Sequence, residues 1–350
     1  MDIEYSRIIK WKEKTMRTCK AKTIHERLTG FDKFSRSLEP PFPKDMLIEL
    51  TNACNNKCIF CANAKMTRKV GHISLEILDK VLSQAYALGA RNVGFYTTGE
   101  PFISNKLPQC ITMAKRKGFT YIYLTTNGVL AIPSRVREVI DTGLDSLKFS
   151  INAGTRKTYE EIHGRDDFDK VIANLKYASE YRKKVFSPLT IHVSYVITRK
   201  NEREQKQFRE LVAPYTDDVF FLNVSNQGGM MPEIKKELVP ENPNREFTYS
   251  KKVPCSMVFN RLHVTCEGYV SACCVDFQNN LVVADLNKVD LSKAWRSQVF
   301  KKLRRLHLEN RLQGTQCYNC VYDRQDAVEP LLPEYAAVPN VLSKKRKDAK

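Results

Sequence analysis

The chain has 350 residues, 42% hydrophobic and 27% charged, the composition of an ordinary globular protein long enough to bury a substantial core. No stretch approaches the roughly 18–20 apolar residues of a membrane span, and Met1-Asp2-Ile3-Glu4 lacks a signal peptide's apolar core, so a cytoplasmic protein is expected. The net charge of +18 is spread along the chain without an RNA-recognition or zinc-finger pattern, so charge alone assigns no nucleic-acid partner.

Residues 1–43 are basic, lack strand periodicity and close with Pro40-Pro41-Phe42-Pro43, and they read as an N-terminal extension. Residues 44–227 alternate short apolar runs with amphipathic stretches. The expected strands are Met46–Leu50, Asn92–Thr97, Tyr121–Thr125, Ser146–Ile151, Thr190–Ile197 and Val219–Val224. The expected helices are Leu75–Leu88, Leu107–Lys117, Ser134–Thr142, Phe168–Lys183 and Glu202–Ala213; Leu75, Leu78, Val81, Leu82 and Ala85 recur at the three and four spacing of one buried face. Strands separated by such helices pair in parallel through right-handed crossovers. Six of these units make a partial barrel whose site lies at the C-terminal strand ends. Residues 228–254, with Pro232, Pro240, Pro243 and Pro254, read as a linker. A cysteine-rich module over 255–328 follows, then a basic tail, 329–350, expected to be disordered.

Eleven cysteines are many for a reducing compartment, where clustered thiols usually mean metal or catalysis. Cys54-Asn55-Asn56-Lys57-Cys58-Ile59-Phe60-Cys61 is CxxxCxxC, directly after the first strand. Three thiolates on one loop can hold three corners of a 4Fe–4S cube and leave the fourth iron open for chemistry. A zinc site is the competing reading, but structural zinc wants four ligands, and no fourth cysteine or histidine occurs before His72.

With an aromatic residue before its third cysteine, this segment resembles the signature of the radical S-adenosylmethionine (SAM) superfamily. The resemblance implies that SAM chelates the open iron through its amino and carboxylate groups, and that reductive cleavage gives a 5′-deoxyadenosyl radical that abstracts substrate hydrogen. It extends along the strand ends. Thr97-Thr98-Gly99-Glu100-Pro101 is similar to the family's GGE motif, with Thr98 in place of the first glycine; it implies backbone approach at Gly99 and hydrogen bonds from the SAM ammonium to Glu100. Thr126-Asn127-Gly128 is similar to the TNG turn, and Ser150 stands where a ribose-contacting hydroxyl is expected. Asn152 follows it, and Val196 and Ile197 are expected to line the adenine. Turn capping is the alternative for Asn127 and Asn152.

The second cluster reads Cys255-x17-Cys273, with Gly268 shortly before Cys273, then a long gap to Cys317-x2-Cys320. It resembles the auxiliary-cluster modules called SPASM and twitch. Since no cysteine follows Cys320, the one-cluster twitch form fits better, and four thiolates would saturate its cube. Four cysteines with one CxxC pair also suit structural zinc. Cys19 and Cys110 are read as structural, and Cys266 and Cys274 as packing residues, with replacement of a cluster ligand or hydrogen-atom donation as the alternative for these last two. The expected fold is therefore α/β, a partial (β/α)6 TIM-like barrel with a small C-terminal Cys-rich twitch/SPASM domain. The cofactors are two 4Fe–4S clusters and SAM.

The second cluster's spacing is similar to that of radical SAM dehydrogenases of the 2-deoxy-scyllo-inosamine type. That resemblance implies oxidation of a secondary alcohol on a small-molecule sugar, nucleotide-sugar or aminocyclitol, or a related epimerisation or dehydration, with the auxiliary cluster accepting an electron. A flavodoxin- or ferredoxin-type donor would supply the first electron. Maturation of a ribosomally made peptide or protein side chain is the alternative, and a non-catalytic iron–sulfur or nucleic-acid-binding scaffold is the alternative of another class. His163 is the candidate catalytic base, because imidazole titrates near neutrality, with capping or packing as its competing role. Tyr96, Arg165, His192, Tyr195, Asn223, Ser225 and Asn226 are further positions near the expected cavity.

Overall fold

A computed structural model describes residues 34–241 and 252–337. Cys19, the first 33 residues and the terminal run Lys344-Lys345-Arg346-Lys347 lie outside these. Six parallel strands carry the alternation expected from sequence: β1 Asp45–Ile48, β2 Asn92–Gly94, β3 Tyr121–Thr126, β4 Ser146–Ser150, β5 Thr190–Ile197 and β6 Asp218–Asn223. The helices between them are α1 Leu75–Ala87, α2 Leu107–Arg116, α3 Pro133–Asp141, α4 Arg156–His163, α5 Phe168–Lys184 and α6 Gln205–Val212. Helix α1 starts where the Ser74 hydroxyl accepts from the Ile77 amide at 3.1 Å, and it buries Leu78, Val81, Leu82 and Ala85. Leu147 and Phe149 of β4, both fully buried, face the helix layer, so Ser146, Lys148 and Ser150 face the barrel interior.

Strand order is β6-β5-β4-β3-β2-β1-β7-β8-β9, with β7 Arg261–Val264, β8 Tyr269–Ser271 and β9 Val282–Asp285. β7 pairs in parallel with β1, Asp45 opposite Arg261 and Ile48 opposite Val264, and β8 and β9 follow antiparallel. The cysteine-rich region therefore extends the barrel sheet. Helix α7 Gln298–Leu308 packs behind it, and helix α8 Gln316–Tyr322 carries the last two cysteines.

Four sequence expectations are corrected. Helix α4 was not expected; Thr155 caps it and Gly164, at φ 70°, ends it. Strands β1 and β2 stop at Ile48 and Gly94, because the following residues leave the ladder to build the site. Residues 35–43 of the expected N-terminal extension belong to the C-terminal packing: fully buried Arg304 donates to the Leu38 carbonyl at 3.1 Å, and the Trp295 indole donates to Pro40 O at 3.0 Å. The described part of the tail is ordered, with Leu331 N bonded to Asn280 O and Ala337 N to Gln278 O, each at 2.9 Å.

Candidate functional site

The loop Cys54–Cys61 is fastened to α4 by its backbone. Lys57 N donates to His163 O at 3.2 Å and Ile59 N to Ile162 O at 2.9 Å, while Cys61 N returns to Cys58 O at 3.0 Å. Cys54 and Cys61 sit close enough for their charges to oppose ionisation of Cys58, and burial pushes all three thiols upward, Cys54 to about 11. Such thiols ionise when a cation compensates them, as metal ligands do.

His163 lies behind this loop. Nδ1 is 3.1 Å from Cys58 Sγ and 3.4 Å from Asn56 Nδ2; Nε2 is 2.7 Å from Ile151 O and so carries the ring proton. The imidazole is 1% exposed, and burial lowers its pKa to about 4. This corrects the expectation of a substrate-facing base: both ring nitrogens are engaged inside the protein.

Gly99 is required by close approach, since a Cβ there would lie 2.3 Å from Thr51 O and 2.6 Å from Ala53 O. The next residue, Glu100, is buried and accepts from Phe102 N at 3.0 Å, Thr126 Oγ1 at 2.7 Å and Asn127 N at 2.7 Å. Desolvation raises its pKa to about 7, against the pull of these three donors. Asn127 Nδ2 reaches Asn55 Oδ1 at 2.8 Å and lies 4.0 Å from Cys54 Sγ. The GGE-like and TNG-like turns thus meet each other and the cysteine loop.

Ser150 Oγ is 3.1 Å from Ser194 Oγ on the interior face of β4 and β5. Asn152, at φ 59°, spends its side chain internally: Oδ1 accepts from Val196 N at 2.8 Å, and Nδ2 is 3.4 Å from His163 Nε2. Sequence reading missed Asn201 here, whose amide bonds the Asn152 and Val196 carbonyls at 2.7 and 2.9 Å. Val196 joins an apolar wall with Ile59, Phe60, Cys61, Val224 and Phe277, whereas Ile197 alternates to the other face. Tyr195 is buried, donating to Asn201 O, and Arg165 pairs on the surface with Asp167; neither faces the interior.

The second set of cysteines comes from separated elements. Cys255 precedes a short helix, Cys273 follows β8, and Cys317 and Cys320 lie on α8. The charges of Cys255 and Cys320 oppose ionisation of Cys317, and that of Cys255 opposes ionisation of Cys273, which puts the four thiols in one neighbourhood. Asn226 Nδ2 donates to Cys320 O at 2.9 Å, tying the end of the barrel to α8. Of the two extra thiols, Cys266 is buried beside Arg68, while Cys274 packs with Tyr96, Tyr121, Tyr123 and Leu47 inside the barrel.

Beside Cys273 lies a small cavity lined by Glu49, Arg68, Thr97, Thr98, His263, Cys274 and Asp276, among others. Arg68 closes one wall, its Nη2 2.5 Å from Glu49 and 2.6 Å from Glu267. The Thr98 hydroxyl donates to Glu49, which gives the departure from the usual glycine a structural task. Glu49, Cys266 and Glu267 converge as metal ligands would, but the Arg68 guanidinium already occupies that centre.

Residues 48–212 match the radical SAM superfamily, and residues 255–321 match the SPASM iron–sulfur cluster-binding domain. The chain thus carries a radical SAM domain followed by a SPASM domain, and these two domains imply SAM and two 4Fe–4S clusters as cofactors. A probable GTP 3′,8-cyclase of Metallosphaera sedula is 31% identical over 180 residues, 51% of this chain and 53% of that protein. One of Sulfurisphaera tokodaii is 32% identical over 170 residues, 49% and 50% of the two chains. The chain thus spans about half the length of the curated relatives it matches. Among solved structures, BtrN in complex with AdoMet and 2-DOIA aligns with a TM-score of 0.51 at 18% identity, covering 84% of this chain and 98% of that one. SuiB of Streptococcus suis bound to S-adenosylmethionine aligns at 0.61 and 17%, covering 80% and 71%. These likenesses show the fold. The donor sets fit the groups: three grouped thiols leave one cluster corner for SAM, and four suffice for a closed auxiliary cluster.

Proposed function

We propose that the protein is a radical SAM dehydrogenase of a small-molecule sugar, nucleotide-sugar or aminocyclitol alcohol. The observation that carries this reading is the gathering of four thiols, Cys255, Cys273, Cys317 and Cys320, in one neighbourhood separate from the three of Cys54–Cys61. When bound, the SAM-ligated cluster supplies a 5′-deoxyadenosyl radical, and a fully ligated auxiliary cluster is suited to accepting an electron. The chain's own part is positional. Glu100, Asn127 and Ser150 face the cofactor end, Val196 and Phe60 form an apolar wall that excludes water, and His163 backs the cysteine loop.

In the net reaction the carbinol loses one hydrogen atom, one proton and one electron, becoming a ketone, while SAM takes up the hydrogen atom and, through the clusters, one electron, and leaves as methionine and 5′-deoxyadenosine. A flavodoxin- or ferredoxin-type protein would start the cycle. Anaerobic incubation with SAM, reductant and candidate substrates tests this. A product about two mass units lighter than substrate, formed in step with 5′-deoxyadenosine, supports dehydrogenation. Because the curated relatives are named GTP 3′,8-cyclases, GTP belongs in the panel: a cyclised product of unchanged mass would replace the dehydrogenase reading. Modification of a peptide alone would replace it with a maturase.

A further inference from the structure

The interior of the barrel holds a cation that nothing in the cofactor site uses. Lys148 is the central residue of β4, and strand alternation turns its side chain inward, one layer below Ser150. Among the described residues no carboxylate pairs with it. Its ammonium stands 5.8 Å from the centre of the Tyr96 ring, and the nearby charge that acts on it is the like charge of Arg261. Arg261 itself is committed, 2.9 Å from Asp45, with Tyr123 donating to the same Asp45 oxygen at 2.7 Å. On the neighbouring strand, opposite Lys148 in register, His192 is 5% exposed and its Nδ1 is without a hydrogen-bond partner. Across the sheet His263 on β7 is 2% exposed, lies against Cys274 and lines the cavity that reaches Cys273.

An inward-facing, half-buried ammonium without a carboxylate partner, and beside it an imidazole with one unbonded ring nitrogen, leave polar groups that water alone satisfies poorly. Burial and Arg261 lower the Lys148 pKa to about 8, so the site is destabilised in the charged form until an anion arrives. One free cation matches one negative charge. A phosphoryl group would draw on further cations, and Arg261 is already tied to Asp45.

We infer that Lys148, with His192 beside it, anchors a carboxylate of the substrate inside the barrel below the SAM-binding end. This deepens the proposed function and rests on its placing the substrate in the barrel. It restricts the substrate to acidic molecules, such as an acidic sugar, and sets the distance at which the reacting carbon hangs above the anchor.

The test needs no turnover, so it stands apart from the dehydrogenase reading. The anaerobic holoprotein is reductively methylated with trace formaldehyde, and labelling of Lys148 is compared by mass spectrometry with that of Lys206, whose side chain is 90% exposed. The probes are acetate, inorganic phosphate and neutral acetamide. Acetate tenfold above its dissociation constant leaves about one site in eleven free, so Lys148 labelling falls about tenfold while Lys206 labelling stays constant. A Lys148 that never labels, that acetate does not protect, or that acetamide protects equally overturns the proposal. Protection by phosphate but not acetate overturns the carboxylate in favour of a phosphoryl group.

Discussion

Nδ1 of His163 stands 3.1 Å from Sγ of Cys58, across 105 residues of sequence. Helix α4 thereby becomes the back wall of the cysteine loop, with two backbone hydrogen bonds from Lys57 and Ile59 on either side of the contact. The imidazole also packs against Tyr159 at a tilt of 31°, ring centres 4.3 Å apart, and meets Phe60 edge-on at 6.5 Å. A ring so enclosed acts on the loop's geometry, and through it on the cluster the loop would hold.

His163→Ala should therefore lower iron retention at the SAM-binding site. Removing a buried ring and its hydrogen bonds costs about 2–4 kcal/mol of stability. Iron per chain and the denaturant midpoint read both effects, and the reduction potential of the SAM-binding cluster should shift as well. Unchanged iron, potential and midpoint would show that the contact is idle.

Iron and sulfide after anaerobic reconstitution separate the two cysteine sets. Wild type should hold about eight irons, and the Cys54/Cys58/Cys61→Ala variant about four. Cys255→Ala should lower iron at the other site. Loss of zinc without loss of iron in Cys255→Ala would assign the C-terminal set to zinc and remove the electron acceptor from the proposed reaction.

The Arg68–Glu49 pair is an ion pair with both side chains 2% exposed. Arg68→Met leaves Glu49 charged, buried and short of its strongest donor, which costs about 3–5 kcal/mol. The double variant Arg68→Met with Glu49→Gln should recover part of that loss. Urea midpoints of the three proteins check it; a single variant as stable as wild type would refute the coupling.

His192 makes stability depend on pH. Burial lowers its pKa from 6.5 to about 4, so between those values the unfolded chain binds a proton that the folded chain refuses. Stability therefore falls as pH drops through that window, by at most about 3 kcal/mol from this residue. His192→Gln should flatten the slope by about one proton. Denaturant unfolding at several pH values between 4 and 7 measures it.

The barrel's alternation was legible because apolar periodicity is local. Helix α1 runs Leu75–Ala87 where its buried stripe placed it, and β5 runs Thr190–Ile197 as read. The short helix α4 was missed because only eight residues separate its cap from its glycine, too few for a periodic pattern to stand out from a loop. The strand ends were overrun for a different reason. Glu49, Thr97 and Thr98 continue the composition of a strand, but their side chains turn to each other and to Arg68 to build the site.

The sequence by itself determined the first cluster's chemistry, since three thiols within eight consecutive residues meet in almost any conformation of the loop. It also determined the order of strand-end motifs, which local turns carry. Tertiary structure alone decided the meaning of His163, Glu49 and Lys148. Their partners lie 105 residues away at Cys58 and 217 at Cys266, or across the barrel at Tyr96 and Arg261. In sequence, Ser146-Leu-Lys-Phe-Ser150 is an ordinary alternating strand whose polar face belongs in water. Curling the sheet into a partial barrel turns that face inward, and a solvated lysine becomes a half-buried charge without a carboxylate partner.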